Sequence, residues 1–224
     1  MKLWGNQIHG CIFDLDGTLL DSMQVWVEID KKYMQMHHIE YDEKYTEIIK
    51  RLTFDESAQF FIDEFKLDKS KEMIMNEWRL MVGDAYFDTI PLKPYVKECL
   101  ELLHESCELV IATSCEKHFA IAALTRLGVL DYFKSIVSTK DLGISKEQPL
   151  IFNLCASLLE MDADECMVFE DVHSIMKCAS QASFKVCGVF DESSKNDIEE
   201  NKKVSDHYIM SFKELVEEIK INSN

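Results

Sequence analysis

Residues 12–22 read "IFDLDGTLLDS", from Ile12 to Ser22. With the preceding "IHGC" they form a short apolar run that ends on two carboxylates, Asp14 and Asp16, followed at once by Gly17 and Thr18. A short apolar run bounded by a turn signal reads as a buried strand. Finishing a buried strand on two like charges is costly unless something at its tip offsets them.

The chain beyond this strand has two textures. From Asp21 to about Ile90, apolar residues recur at helical spacing: Phe54, Ala58, Phe61, Ile62 and Phe65 form one set, and Met73, Trp78, Met81, Val82 and Ala85 another. After Pro91, strands and helices alternate. "PYVKECLELLHES" predicts a helix with Pro94 at its start. "ELVIATS" predicts a strand, "KHFAIAALTRLG" a helix stopped by Gly128, "SIVST" a strand and "PLIFNLCASLLEM" a helix. "ECMVFED" and "FKVCGVF" are strands on either side of the helix "SIMKCASQA". "DHYIM" is a short last strand, and "SFKELVEEIKI" a final helix with Ser211 and Glu214 spaced as a capping box. This alternation implies parallel strands with right-handed crossovers, and strands so apolar are covered on both faces. A lone N-terminal strand is not stable, so "IHGCIFD" joins the same sheet. The expected fold is α/β: a doubly wound parallel sheet from residues 1–20 and 92–224, with an all-helical domain inserted at 21–91.

Composition narrows the function. Three prolines and seven glycines in 224 residues argue against long linkers. The net charge of −17 disfavours nucleic acid as a partner, because an acidic surface repels a phosphate backbone. It leaves room for a small phosphorylated ligand, since a local cation reverses the field within one cleft. The eight cysteines include no C-x-x-C pair and sit mostly among apolar neighbours, as reduced core thiols do. The N-terminal "MKLWGNQIHG" has no long apolar region, and no run approaches the roughly 18 apolar residues of a membrane helix. A soluble cytoplasmic protein, acting as a monomer or weak dimer, is expected.

In open parallel sheets, ligands bind beyond the carboxyl ends of the strands. Asp14 and Asp16 stand there after the first strand, Thr113 and Ser114 after "LVIA", and Glu170 and Asp171 after "CMVF". Lys146 stands at the lip of the helix that follows "SIVST". Four acids converging on one edge need a counter-charge. Mg2+ suits them: it prefers oxygen ligands and commonly takes one or two carboxylates together with a substrate phosphate. Each residue also has a plainer reading: Thr113 or Ser114 as a helix cap, Lys146 as a surface lysine among Ser145, Glu147 and Gln148.

With these motifs in order, the chain resembles the haloacid dehalogenase-like hydrolase superfamily, in the branch that contains β-phosphoglucomutase and many small-molecule phosphatases. The intact D-x-D-G-T of Asp14 to Thr18 is the specific match. The resemblance implies that Asp14 is the nucleophile that accepts the phosphoryl group and Asp16 the general acid and base. It implies that Thr113, with the Ser114 backbone N–H, binds the phosphoryl group and that Lys146 offsets its charge. Glu170 and Asp171 are the implied acidic pair, with Asp171 holding Mg2+ alongside the Asp14 carboxylate and the Asp16 main-chain carbonyl. The helical insert is then a cap domain. Departures from the pattern are Glu147 and Leu150 in place of a proline and an aspartate, and Val172 and Ile175 in place of a serine and a glycine.

Within that family, the presence of Asp16 argues against dehalogenases and phosphonoacetaldehyde hydrolases, which lack it. Trp26 stands where the mutases carry a histidine, and Arg51-Leu52 lacks their following glycine. The resemblance therefore favours a Mg2+-dependent phosphatase of a small phosphomonoester such as a sugar phosphate. The alternatives are a β-phosphoglucomutase-type mutase and, in another class, a non-catalytic phosphate-binding or regulatory protein. Trp26, Lys50, Arg51 and Arg79 are the candidate substrate contacts from the cap, with a solvated helix face as the plainer reading of the two arginines.

Overall fold

The computed structural model describes residues 1–49, 52 and 54–222. The chain divides into two compact units, Met1–Asp21 with Pro91–Asn224, and Ser22–Ile90. Each junction lies one residue inside the expected insert, at Asp21 and Pro91, where the Asp21 N–H donates to the Pro91 carbonyl at 3.0 Å.

The first unit opens with a hairpin of β1 (Lys2–Leu3) and β2 (Asn6–Gln7), then β3 (Gly10–Phe13). The second unit holds α1 (Met23–Met36), α2 (Glu43–Ile49), α3 (Phe54–Phe65) and α4 (Lys71–Asp88). The first unit resumes with α5 (Val96–His104), β4 (Glu108–Thr113), α6 (Lys117–Leu127), β5 (Phe133–Ser138), α7 (Thr139–Leu142) and α8 (Leu150–Leu159). It ends with β6 (Cys166–Glu170), α9 (His173–Gln181), β7 (Lys185–Val189), α10 (Ile198–Val204), β8 (His207–Ile209) and α11 (Phe212–Asn222).

Six strands form one sheet in the order β5-β4-β3-β6-β7-β8, and every pairing is parallel. The chain winds outward from β3 to β5, then crosses to β6 on the other side of β3. The strand order therefore reverses between β3 and β6, the point at which doubly wound sheets bind ligands. The register there is Phe13 opposite Phe169, with the two rings stacked at 4.4 Å. It brings the residues that follow them, Asp14 and Glu170, out of the sheet side by side. Ile12, Val110, Val168 and Val186 pack under α8 and α9 against Ile151, Phe152, Cys155 and Met176. All eight cysteines are free, and six of them are fully in the core.

Two local expectations are corrected. The first helix after the insert begins at Val96, not at Pro94: Tyr95 adopts φ 67, a left-handed turn that separates the proline from the helix. At the start of α11, Glu214 reaches one residue further back than a capping box, accepting from the Met210 N–H at 2.9 Å, while Ser211 Oγ accepts from the Lys213 N–H at 3.3 Å.

The helical unit has its own core. Tyr33 packs edge-on to Phe61 and Trp78, at centroid distances of 5.6 and 5.5 Å. Glu77 accepts hydrogen bonds from the Tyr33 hydroxyl at 2.7 Å and from Lys69 at 2.5 and 2.7 Å. Lys50, Arg51 and the Trp26 side chain lie outside the described residues. Arg79 is exposed, bonded to Asn76 Oδ1 at 2.7 Å and placed over the Phe54 ring.

Candidate active site

The loop that leaves β3 is closed by main-chain bonds. The Leu15 carbonyl accepts from Leu19 and Leu20 at 3.0 and 2.8 Å, and the Gly17 N–H donates to Leu20 at 3.1 Å. Gly17 takes φ 83, which a side chain disfavours. It also lies against the acidic pair: a Cβ there would stand 2.5 Å from Asp171 Oδ2. The neighbouring Thr18 donates to Asp171 Oδ1 at 3.2 Å. The pentapeptide therefore leaves room for Asp171 as well as aiming Asp14. Thr18 carries no role in the sequence reading, although its place in the motif marks it.

Asp14 is buried at 7% exposure, and its N–H donates to the Phe169 carbonyl at 3.0 Å. Lys146 is 5% exposed, so the surface-lysine reading fails. Its ammonium donates to Asp14 Oδ1 and pairs with Glu170 Oε2 at 2.8 Å. Burial opposes a charge on Lys146, but Asp14 and Glu170 outweigh it and push its pKa up. Glu147, which stands in place of a proline, accepts from Ser174 Oγ at 2.9 Å and so ties the Lys146 loop to the first turn of α9.

Glu170 Oε1 accepts the N–H groups of Asp171 and Val172, both at 3.1 Å. Ligand atoms of Asp14, Glu170 and Asp171 all lie within 4.8 Å of one another, the one such group among the described residues. Burial first, then neighbouring carboxylates, push Glu170 up to about 7 and Asp171 up to about 9. Glu170 Oε2 is buried and meets the Lys146 ammonium at 2.8 Å. Three carboxylates offering hard oxygen donors within 4.8 Å of one another, with a single lysine beside them, fit a hard divalent cation. The Asp16 carboxylate is not in this group; Asp16 is half-buried in the loop, bridged to Leu20.

Thr113 is fully buried at the end of β4, beside β3, and its Oγ1 accepts from the Cys115 N–H at 2.9 Å. The helix that follows starts at Lys117 with Glu116 at its cap position, so neither Thr113 nor the exposed Ser114 caps it. With its acceptor role met locally, the Thr113 hydroxyl retains its proton to donate.

The model of the haloacid dehalogenase-like hydrolase family matches residues 11–189. The chain belongs to the haloacid dehalogenase-like hydrolases. Among its relatives in this family is the fructose-1-phosphate phosphatase YqaB of Escherichia coli K12, 25% identical over 80% of this chain and 95% of that protein. Among solved structures, a candidate β-phosphoglucomutase from Thermotoga maritima superposes with TM-score 0.81 at 21% identity, over 96% of this chain and 99% of the other. A Bacillus subtilis haloacid dehalogenase-type protein, YfnB, solved bound to magnesium, superposes with TM-score 0.79 at 17% identity, over 96% and 100%. These structures share the fold of this hydrolase. Lys93 and Asp191, a buried ion pair at the tip of β7, were not singled out by the sequence, where their only signal is an acid just past an apolar run.

Proposed function

We propose that this hydrolase is a Mg2+-dependent phosphatase of a small phosphomonoester, a sugar phosphate foremost, working through an aspartyl phosphate on Asp14. The observation that carries the reading is the buried Asp14 carboxylate, held by Lys146 within one group with Glu170 and Asp171. Asp14, Glu170 and Asp171, with the Asp16 main-chain carbonyl, would hold a magnesium ion, which would supply charge neutralisation for the phosphoryl oxygens.

Asp14 attacks phosphorus through one carboxylate oxygen, and the bond to the leaving alcohol breaks. Asp16, outside the charged group, gives its proton to that alcohol oxygen. It then takes a proton from water, whose oxygen attacks phosphorus and releases inorganic phosphate and free Asp14. Lys146 and the Thr113 hydroxyl, with the Ser114 N–H, stabilise the transferring group, because phosphoryl transfer depends on positioning and electrostatics more than on covalent chemistry. The helical unit Ser22–Ile90 acts as the cap that excludes water and contacts the sugar.

The test is hydrolysis of an aryl phosphate and of a sugar-phosphate panel, with Mg2+ or with chelator, by the wild type and Asp14→Asn. Mg2+-dependent phosphate release that vanishes in Asp14→Asn is expected. Isomerisation of β-glucose 1-phosphate faster than phosphate release would instead identify a mutase. No turnover with any substrate would leave a phosphate-binding protein.

A further inference from the structure

The segment returning from the helical unit and the tip of β7 meet in a second buried ion pair. Lys93 Nζ lies 2.8 Å from Asp191 Oδ2 and donates to the Phe190 carbonyl at 2.8 Å, with the two side chains 12% and 5% exposed. Asp191 Oδ1 accepts from the Ser193 N–H at 2.9 Å and from its hydroxyl at 2.6 Å. Burial opposes a charge on Asp191, yet Lys93 and Ser193 hold its pKa below the ordinary carboxylate value. The main-chain N–H of Lys93 donates to the Leu19 carbonyl at 2.9 Å. The same residue thus grips the loop whose Thr18 holds Asp171.

A buried ion pair is seldom more stabilising than apolar residues of the same size, so charge at this position calls for a reason. β7 pairs with β6, Gly188 opposite Glu170, so Asp191 leaves the sheet at the same edge and beside the strand that runs on into Asp171.

Resting on the reading of Asp14 and Asp171 as magnesium ligands, we propose that Lys93 and Asp191 are positioning residues. They form a neutral pair at the sheet edge beside Asp171 and act on the site through their balanced charge. Either charge alone then biases the site. An unpaired Asp191 favours a divalent cation and repels the substrate's phosphate; an unpaired Lys93 does the reverse.

Full-length wild type, Lys93→Met, Asp191→Asn, the double variant and Lys93→Arg are titrated with MgCl2 alone by calorimetry. Aryl phosphate hydrolysis is then followed at saturating Mg2+. Lys93→Met is expected to tighten Mg2+ binding and raise KM, each by about three- to tenfold, the effect of one unit charge acting through partly screened protein. Asp191→Asn is expected to move both constants the opposite way. The double variant should return to within about twofold of wild type and Lys93→Arg should resemble it, since only uncompensated charge is at issue. Should Lys93→Met not fold, Asp191→Asn and its reversal in the double variant decide. Single variants that shift both constants in one common direction, or a double variant no better than the worse single, overturn the proposal. A wild type that binds Mg2+ while no variant moves its affinity overturns the pair alone. A wild type that binds none overturns the magnesium reading and the pair with it.

Discussion

Replacing Gly17 by alanine tests whether the D-x-D-G-T turn is built around Asp171. Two costs are separable. Alanine at φ 83 pays the left-handed penalty, about 1–2 kcal/mol. Its Cβ also meets Asp171 Oδ2 at 2.5 Å, Cγ at 3.0 Å and Oδ1 at 3.2 Å. Ordinary contact begins near 3.5 Å, so the carboxylate must retreat by about 1 Å. That stretches the Thr18–Asp171 bond beyond reach, a further loss of about 0.5–1.5 kcal/mol. Total destabilisation of about 2–3 kcal/mol lowers Tm by about 4–12 °C in a chain of this size. Activity falls further, because a displacement of about 1 Å at a reacting centre costs about 10²-fold. The control is Gly128→Ala, which has φ 68 but no heavy atom nearer than Lys97 Nζ at 3.8 Å. It pays the backbone penalty alone and should keep full activity. Thermal unfolding together with kcat/KM for an aryl phosphate at several Mg2+ concentrations reads both terms. Gly17→Ala with activity within about threefold of wild type would refute the argument.

Lys146→Met removes the cation from a buried pair, which costs about 3–5 kcal/mol; calorimetric unfolding should show this loss in full without metal and in reduced form with Mg2+. Glu170 and Asp171 bind protons more tightly in the folded chain than at their ordinary values of 4.5 and 3.8. Their contribution to the stability of the metal-free protein is therefore present at low pH and lost as pH rises from about 4 through about 9. Tm measured with chelator should carry this decline, and added Mg2+ should flatten it. In the helical unit, Phe61→Ala empties the space between Tyr33 and Trp78 and should cost about 3–5 kcal/mol in urea unfolding.

The strand tips were legible in the sequence because a sheet covered on both faces shows as apolar runs, and parallel connectivity sends all their carboxyl ends to one edge. That logic alone gathers Asp14, Thr113, Glu170 and Asp171. It says nothing about which side chain touches which. The Thr18–Asp171 bond spans 153 residues and leaves no periodic trace. Lys93 and Asp191 are likewise joined only by the fold. The two-residue strands of the N-terminal hairpin are too short to display a period of two. Pro94 misled because a proline begins a helix only when the next residue enters it, and Tyr95 turns the other way. Glu147 departs from the family pattern, yet its bond to Ser174 secures the loop by a different means.

The charges themselves say why Asp14 and Asp16 can share a loop and differ in role. Asp14, Glu170 and Asp171 bring three carboxylates into one buried group, and Lys146 neutralises one of them. Two negative charges remain, the number that a divalent cation cancels and a monovalent one does not. With such a cation bound the group would be neutral, and an incoming phosphate would meet no net repulsion. The Asp16 carboxylate lies outside this group, so the proposed scheme leaves it out of the ion's ligands and gives it the proton transfer to the leaving oxygen.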